Sequence, residues 1–298
     1  MRARKFVEAE TYYKQMVQYA QKLYEIDKEK YDLRYGTAFA ELANNCRTCI
    51  GCHVFGNQPR PLNDKTQKPF DAGMNFYKMA ITVTQENAKK GSGKHLELRA
   101  ECIGSMAVMN ASIGNYGESI KMFNDVINIQ KALYQAVDNK EMGVKLGSSM
   151  STLATVYSLY KDPENAQENL EDSIYVLSEH ESEDSVRSGI LIARNYMNLA
   201  GCYVLLKASK EEIDSAYEKA TQKISMVNAI AKNAAVMDEI TCYMLSGQYY
   251  TQVGETEKGT KQLNHAYDLA KEFYEKQPQN KQLEGLKKRL ETLLGIEA

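Results

Sequence analysis

The residues with the clearest potential for chemistry lie close together, at Cys46, Cys49, Cys52 and His53. The order Cys-x-x-Cys-His is the spacing of a covalent c-type haem site. Three thiolates beside an imidazole could also bind zinc or an iron–sulfur cluster, because both favour sulfur ligands. A thiol pair that switches between reduced and oxidised forms is a further alternative.

A purely structural role explains the same spacing. Cys46, Cys49 and His53 stand at i, i+3 and i+7, so one face of a helix carries all three. Cysteine is small and often buried, and Cys46 occupies a packing position that tyrosines fill further along the chain. We therefore favour packing over metal binding, and we expect no cofactor.

Catalytic motifs are not apparent elsewhere in the sequence. The segment GSGKH at 91–95 matches part of a phosphate-binding loop, but it lacks the upstream glycine and a preceding strand. The four histidines are dispersed, and none has an acid or a nucleophile at a helpful spacing. The sequence therefore predicts a protein that is not an enzyme.

Composition narrows the choice of partners. The chain has 298 residues and a formal net charge of -2, so it lacks the basic character typical of nucleic-acid-binding proteins. No apolar run approaches the roughly 20 residues that a transmembrane helix needs. The basic N-terminal stretch lacks an apolar core followed by a cleavage site, so we expect a cytoplasmic protein with reduced cysteines. This expectation disfavours the haem interpretation, because haem attachment of that kind accompanies export.

Small residues recur along the chain at an almost constant interval. Ala107, Ala154, Ala200 and Gly247 are separated by 47, 46 and 47 residues. Each belongs to a helix-like pattern that is followed by a turn and a second helix-like pattern. Because small residues let two helix backbones approach closely, the repeat predicts an all-α stack of antiparallel helical hairpins. An all-α bundle without repeat symmetry is the alternative.

We predict a single solenoid over residues 1–298. An N-terminal half-repeat helix occupies 1–30, and a distorted repeat with an insertion at 54–68 occupies 34–90. The regular repeats are expected at 94–136, 140–180, 184–232 and 235–276. A capping helix at 279–296 carries its leucines in one stripe, which leaves its other side in water.

These patterns resemble the tetratricopeptide-repeat (TPR) family. The order of small residue, aromatic, glycine-containing turn, small residue and large apolar residue is similar to the family pattern. GNYGESIKMF at 114–123 is the closest local match. The resemblance covers about residues 30–275, but the first-helix tryptophan is absent and the period is 46–47 residues against the usual 34. It implies a right-handed superhelix of about five hairpins.

In this family the first helices of successive hairpins line the concave face, where partners bind. Carried over position by position, the resemblance implies a mostly polar partner-binding face made of Asn44, Arg47, Thr155, Ser158, Arg194, Asn198, Met244, Gln248 and Thr251. A clamp for a terminal carboxylate is disfavoured, because the two candidate arginines lie three repeats apart. We expect recognition of a peptide or helix by polar side chains with a few apolar anchors.

The sequence thus predicts a non-enzymatic scaffold that binds a protein or peptide on its concave face. Two alternatives stay open: a regulatory sensor whose superhelix changes pitch when a peptide or small ligand binds, and a metal-binding protein centred on the cysteine cluster. The chain is also compatible with a subunit of a larger assembly. The partner itself does not follow from the sequence, because this repeat family serves many unrelated processes.

Overall fold

A computed structural model describes residues 2–51, 59–136, 140–181 and 185–296, with side chains from residue 8 onward except at position 140. Within these ranges the chain forms thirteen α-helices and no β-strand. None of the helices in the described ranges combines the length and the apolar composition that a bilayer-spanning helix requires. The chain divides into two compact units, Met1–Ala166 and Gln167–Ala298, which we describe one at a time.

The first unit consists of helices that pack in sequence order. They are α1 (Arg2–Ile26), α2 (Lys28–Ile50), α3 (Asp64–Val83), α4 (Gln85–Lys89), α5 (Gly93–Ser112), α6 (Tyr116–Ala136) and α7 (Lys140–Tyr160). α2 pairs with α3 and α5 pairs with α6, while α1 packs on α2 and α7 packs on α6. Because α5 also contacts α2 and α3, the second hairpin stacks on the first.

The second unit is also built from paired helices. Its helices are α8 (Pro163–Glu179), whose first residues belong to the first unit, α9 (Ser185–Leu206), α10 (Lys210–Ile230), α11 (Val236–Gln252), α12 (Thr256–Lys276) and α13 (Lys281–Leu294). α9 pairs with α10 and α11 pairs with α12, and α11 stacks on the preceding pair. α13 packs against α12 and α11, with Leu283 and Leu290 buried and Asn280 capping its first turn.

A residue in the left-handed conformation ends the first helix of four hairpins. Gly114, Lys161, Lys207 and Gly254 have φ angles of 88°, 64°, 57° and 88°, and they are spaced by 47, 46 and 47 residues. At each turn the amide of the next residue donates to the carbonyl oxygen five residues earlier, over 2.9–3.0 Å. These features define a Schellman C-cap. The period of the small residues is therefore also a period of the backbone.

One of these four turns is longer by a residue. In the α9–α10 hairpin two residues lie between Lys207 and the first residue of α10. In each of the other three hairpins a single residue lies between the left-handed residue and the second helix. The longer turn includes Ser209, which caps α10 through a reciprocal pair of hydrogen bonds with Glu212. The helix start is thus stabilised despite the change in length.

The backbones of α11 and α12 touch at Gly247 and Gly259. A Cβ on Gly247 would lie 2.8 Å from Leu263 Cγ and 3.0 Å from the carbonyl oxygen of Gly259. A Cβ on Gly259 would lie 2.8 Å from the carbonyl oxygen of Gly247 and would collide with Thr251. This is the close approach that the sequence predicts at this seam.

Large apolar side chains of the second helices fill the space beside each seam. Phe123, Leu170, Tyr217 and Leu263 follow one another at the hairpin period, and all four are buried. Burying one such side chain contributes about 1.5–3 kcal/mol relative to leaving it in water. Each second helix therefore contributes a large buried side chain at the same point of the repeat.

The predicted all-α fold of stacked helical hairpins is confirmed. The right-handed superhelix and the single solenoid over 1–298 concern both units together and stay predictions. Part of the predicted insertion at 54–68 lies outside the described residues, and helix α3 begins within it, at Asp64.

Candidate binding groove in the first unit

α2 and α5, the first helices of two stacked hairpins, leave a groove between them. Its volume is about 230 Å³. Its lining comprises Leu33, Thr37, Ala40, Glu41 and Asn44 of α2, Tyr77 of α3, and Lys94, Glu97, Leu98, Glu101, Cys102 and Ser105 of α5. On each first helix the polar lining residues recur every three or four positions, so each helix presents a straight stripe to the groove.

Tyr77 reaches the groove from α3 and fixes the position of Asn44. Its side chain is 1% exposed, and its hydroxyl donates a hydrogen bond of 2.6 Å to Asn44 Oδ1. Burial raises the pKa of Tyr77, although the nearby Arg47 guanidinium acts in the opposite direction. The hydroxyl therefore remains a donor, and it holds the Asn44 amide in one orientation at the groove wall.

The lining of the groove is acidic. Three carboxylates, those of Glu41, Glu97 and Glu101, face one ammonium group, that of Lys94. Lys145 of α7 lies 3.6 Å from Glu97 and 3.7 Å from Glu101, measured from its ammonium nitrogen to the carboxylate oxygens. Burial lowers the pKa of Lys145, but these glutamates outweigh it and the net pKa is raised. The pair of α5 carboxylates is thus held in place from the next hairpin.

The cysteine in the lining is shielded from solvent. Cys102 is 1% exposed, and burial raises the pKa of its thiol to about 12. The thiolate is the nucleophilic form of cysteine and is scarce near neutral pH at such a pKa. The groove therefore offers hydrogen bonds, charge and apolar contact.

A buried polar cluster joins α2 to α5 beside the groove. His95 Nε2 lies 3.0 Å from Asp32 Oδ1, and His95 Nδ1 lies 2.7 Å from Ser92 Oγ. Asn87 donates a hydrogen bond of 2.8 Å to the other oxygen of Asp32. Asp32 and His95 are 4% and 9% exposed, so this cluster ties the two groove walls together. Sequence spacing offers no acid partner for any histidine, and the partner of His95 comes from a different helix, 63 residues away.

The predicted partner-binding residues of the first unit have different surroundings. Asn44 lines the groove. Arg47, one turn further along α2, is partly buried, and its Nε has no hydrogen-bond partner among the described residues. The Thr155 and Ser158 hydroxyls donate to carbonyl oxygens of their own helix, over 3.1 and 3.0 Å. They lie on α7 and are not part of the groove lining.

In the second unit most of the predicted polar residues have intramolecular partners. Arg194 binds Asp238 through two hydrogen bonds of 2.6 and 3.2 Å, so α9 is tied to α11. Gln248 accepts a 3.3 Å hydrogen bond from Arg289 of α13. The Thr251 hydroxyl donates to a carbonyl oxygen in its own helix over 2.9 Å, whereas Asn198 is exposed.

The assignment of Met244 to a partner-binding face is corrected by its burial. Its side chain is 2% exposed and packs in the cluster around α11, α12 and α13. Met244 precedes Gly247 by three residues, and residues three apart share a helix face. It therefore faces the same seam as Gly247 and has no surface for a partner.

The cysteine cluster is described only in part. Cys46 is partly buried and Cys49 is exposed, while Cys52 and His53 lie outside the described residues. Burial raises the pKa of Cys46 to about 11. Among the described residues there is no group of three or more potential metal ligands. Metal binding at Cys46, Cys49, Cys52 and His53 therefore stays an untested alternative.

Most of the groove lining was missed by sequence reasoning. The polar stripe of α5, Glu97, Glu101 and Ser105, has a regular four-residue step that a search for polar helix faces could have found. This regular step does not reveal that the polar stripe of α5 faces the polar stripe of α2. Tyr77 belongs to a second helix, which the repeat pattern assigns to packing.

Comparisons with known proteins bear on the fold alone. No family model matches the sequence, and no protein with a curated description matches it either. Many solved structures match the fold. One of them is BtubC (BKLC) from P. vanneervenii, with a TM-score of 0.66 and 14% sequence identity, covering 90% of this chain and 92% of that one. At this identity the similarity establishes a shared helical architecture.

Proposed function

We propose that this protein is a non-enzymatic, TPR-like interaction module of the cytoplasm that binds a segment of a protein partner on its first-helix face. The groove between α2 and α5 is the proposed site in the first unit. The observation that carries the proposal is this groove of about 230 Å³, which is lined by the helix faces that bind partners in the family that the sequence resembles.

The chemistry of the lining supports a peptide-like occupant. Leu33, Ala40 and Leu98 provide apolar contact, while Asn44 and Ser105 provide hydrogen-bonding groups. The volume is below the roughly 300–1,000 Å³ typical of small-molecule pockets, and it is suited to one or two side chains. A segment with a hydroxyl, amide or basic side chain between apolar ones matches this lining.

The stiffness of the walls also supports binding. α2 and α5 are long helices, and the buried contact between Asp32 and His95 holds them together. A preformed groove loses little conformational entropy when a partner binds. The same contact favours a structural role for the Ser92, His95 and Asp32 array over a catalytic one, because two of its three members are buried.

Affinity capture with a groove variant tests the proposal. We would compare the wild-type chain with Glu41→Lys/Glu101→Lys, which reverses two charges in the lining, using lysate of the source cells. Glu168→Lys/Glu275→Lys is the matched control, because it makes the same charge change at two exposed positions of the second unit. After identification by mass spectrometry, the Kd of the purified partner is measured for all three chains.

We expect the wild type and the control to bind one partner equally, and the groove variant to bind at least about tenfold more weakly, which is roughly 1.4 kcal/mol. Equal binding by all three chains would show that the groove is not the site. Loss of binding in the control as well would indicate a general dependence on net charge.

A further inference from the structure

The outer face of α1 carries an apolar stripe that is not covered by α2. Tyr12 is 72% exposed, Met16 is 37% exposed, Tyr19 is 67% exposed and Ile26 is 78% exposed. Together with the partly buried Leu23, these residues follow one another along α1 at alternating steps of four and three positions. This is the heptad spacing of a helix that packs along another helix.

A groove lies beside the stripe. It has a volume of about 750 Å³. Its lining is mostly apolar and comprises Tyr12, Gln15, Met16, Tyr19, Ala20 and Leu23 of α1 and Leu33, Arg34, Thr37 and Ala38 of α2. The stripe therefore offers projecting rings beside a recess that is large enough to take several side chains of a second copy. A surface with both features can pair with itself, as the interface of a two-fold dimer requires.

Charge placement determines the occupant and its direction. Glu8 and Lys22 are exposed and flank the stripe on the same side, and each lies seven residues from Gln15. If two copies of α1 pair antiparallel about Gln15, Glu8 of each copy comes opposite Lys22 of the other. Tyr12 then comes beside Tyr19 of the other copy. Parallel pairing would instead place Glu8 beside Glu8 and Lys22 beside Lys22, so that like charges repel each other.

We propose that two copies of this chain associate through the outer face of α1, in an antiparallel two-fold arrangement centred on Gln15 and Met16. Tyr12 and Tyr19 are the apolar anchors, and Glu8 and Lys22 set the direction. The formal net charge of -2 for each chain opposes such a dimer only weakly.

The molar mass of the full chain in solution is the first test. Sedimentation equilibrium over a wide concentration range is expected to show a reversible transition from 33.7 kDa to twice that mass. Tyr12→Glu/Tyr19→Glu is expected to weaken the dimer at least about tenfold, because two anchors are replaced by charges. Tyr160→Glu/Leu205→Glu changes two exposed residues on other helices and should leave the dimer unchanged. Circular dichroism checks that each variant is folded.

Charge reversal tests the direction of pairing. Glu8→Lys alone and Lys22→Glu alone should each weaken the dimer about tenfold, because like charges then face each other. The double variant Glu8→Lys/Lys22→Glu should restore it. A wild type that stays monomeric, or a dimer that survives Tyr12→Glu/Tyr19→Glu, would overturn the proposal, and so would a double variant that fails to recover. The groove residues Glu41 and Glu101 are unchanged throughout, so the outcome is independent of the proposed function.

Discussion

The two units share one hairpin geometry but hold their first helices together in different ways. In the first unit the tie is Asp32 with His95, two buried side chains near the N-terminal ends of α2 and α5. In the second unit the tie is Arg194 with Asp238, and the Arg194 side chain is 48% exposed near the middle of α9. A groove lies beside the first tie, whereas a long arginine bridges the corresponding helix face in the second unit.

The repeat does not by itself decide how successive first helices are held together. The turns and the seams recur with the same period in both units. The side chains that join successive first helices differ in type, in exposure and in their position along the helix.

The largest effect is expected from substitutions at one equivalent position of two hairpins. Ser119 and Gly259 each lie twelve residues after the small residue of their first helix, and both are buried. Gly259→Ala should lower the free energy of unfolding by about 3 kcal/mol, because the new Cβ meets backbone atoms that cannot move aside.

Ser119→Ala is the matched change in the first unit and should be neutral or stabilising by up to about 1 kcal/mol. It removes a buried hydroxyl that has no hydrogen-bond partner within the described residues. Urea denaturation of both variants measures the two values. Equal destabilisation by the two changes would contradict the prediction, because it would mean that the α11–α12 seam accommodates the added Cβ or that the Ser119 hydroxyl contributes to stability.

The second effect compares the two ties. His95→Ala should cost about 2 kcal/mol, since Asp32 stays buried after losing a hydrogen-bonding partner. Arg194→Ala should cost about 1 kcal/mol, because the Arg194 side chain is 48% exposed and removing it opens the buried Asp238 carboxylate to water. Thermal denaturation of the two variants side by side gives the order. A larger loss for Arg194→Ala would reverse our view of which unit has the firmer tie.

The third effect concerns the turns that contain lysine. Lys161 and Lys207 adopt positive φ angles, which disfavour a residue with a Cβ by roughly 1 kcal/mol. Lys207→Gly removes this cost and should raise the free energy of unfolding by up to about 1 kcal/mol. The gain is reduced because glycine has more conformational freedom in the unfolded chain. Gly254→Lys at the equivalent turn should lower it by a similar amount. Denaturant midpoints of these two variants provide the check, and changes of the same sign would contradict the prediction.

The smallest effect is a difference in thiol reactivity that leaves the fold intact. Burial raises the pKa of Cys102 in the first unit to about 12 and that of Cys242 in the second unit to about 11. Since a raised pKa reduces the thiolate fraction near pH 8, both should resist alkylation until the chain unfolds, while the exposed Cys49 reacts first. Peptide mapping after limited labelling distinguishes them. Early labelling of Cys102 would mean that the groove opens in solution.

The regular part of the fold could be predicted from the sequence because its causes are local. Ala107, Ala154, Ala200 and Gly247 mark the seams, and Gly114 and Gly254 mark two of the four turns. The turns at Lys161 and Lys207 carry no glycine, but the spacing of the small residues locates them. Local spacing thus defines the hairpins even where one residue type departs from the pattern.

The groove could be predicted less well because it depends on contacts between distant parts of the chain. Asn44 was identified from its position on a first helix, but its partner Tyr77 is 33 residues away. His95 and Asp32 are 63 residues apart, and no spacing rule joins them. The misplacement of Met244 has a local cause, since a helix face shifts by about 100° with each residue. An error of one position in assigning a helix face therefore places a core residue on the binding face.

The longer α9–α10 turn has a consequence for how the length of this chain can change. A residue added between Lys207 and the start of α10 leaves the faces of both helices where they were, because neither helix is lengthened. A residue added between Ala200 and Lys207 would instead rotate every later side chain of α9 by about 100° and remove it from its seam. Single-residue insertions among relatives should therefore concentrate in these turns, whereas larger changes should come in whole periods of 46 or 47 residues.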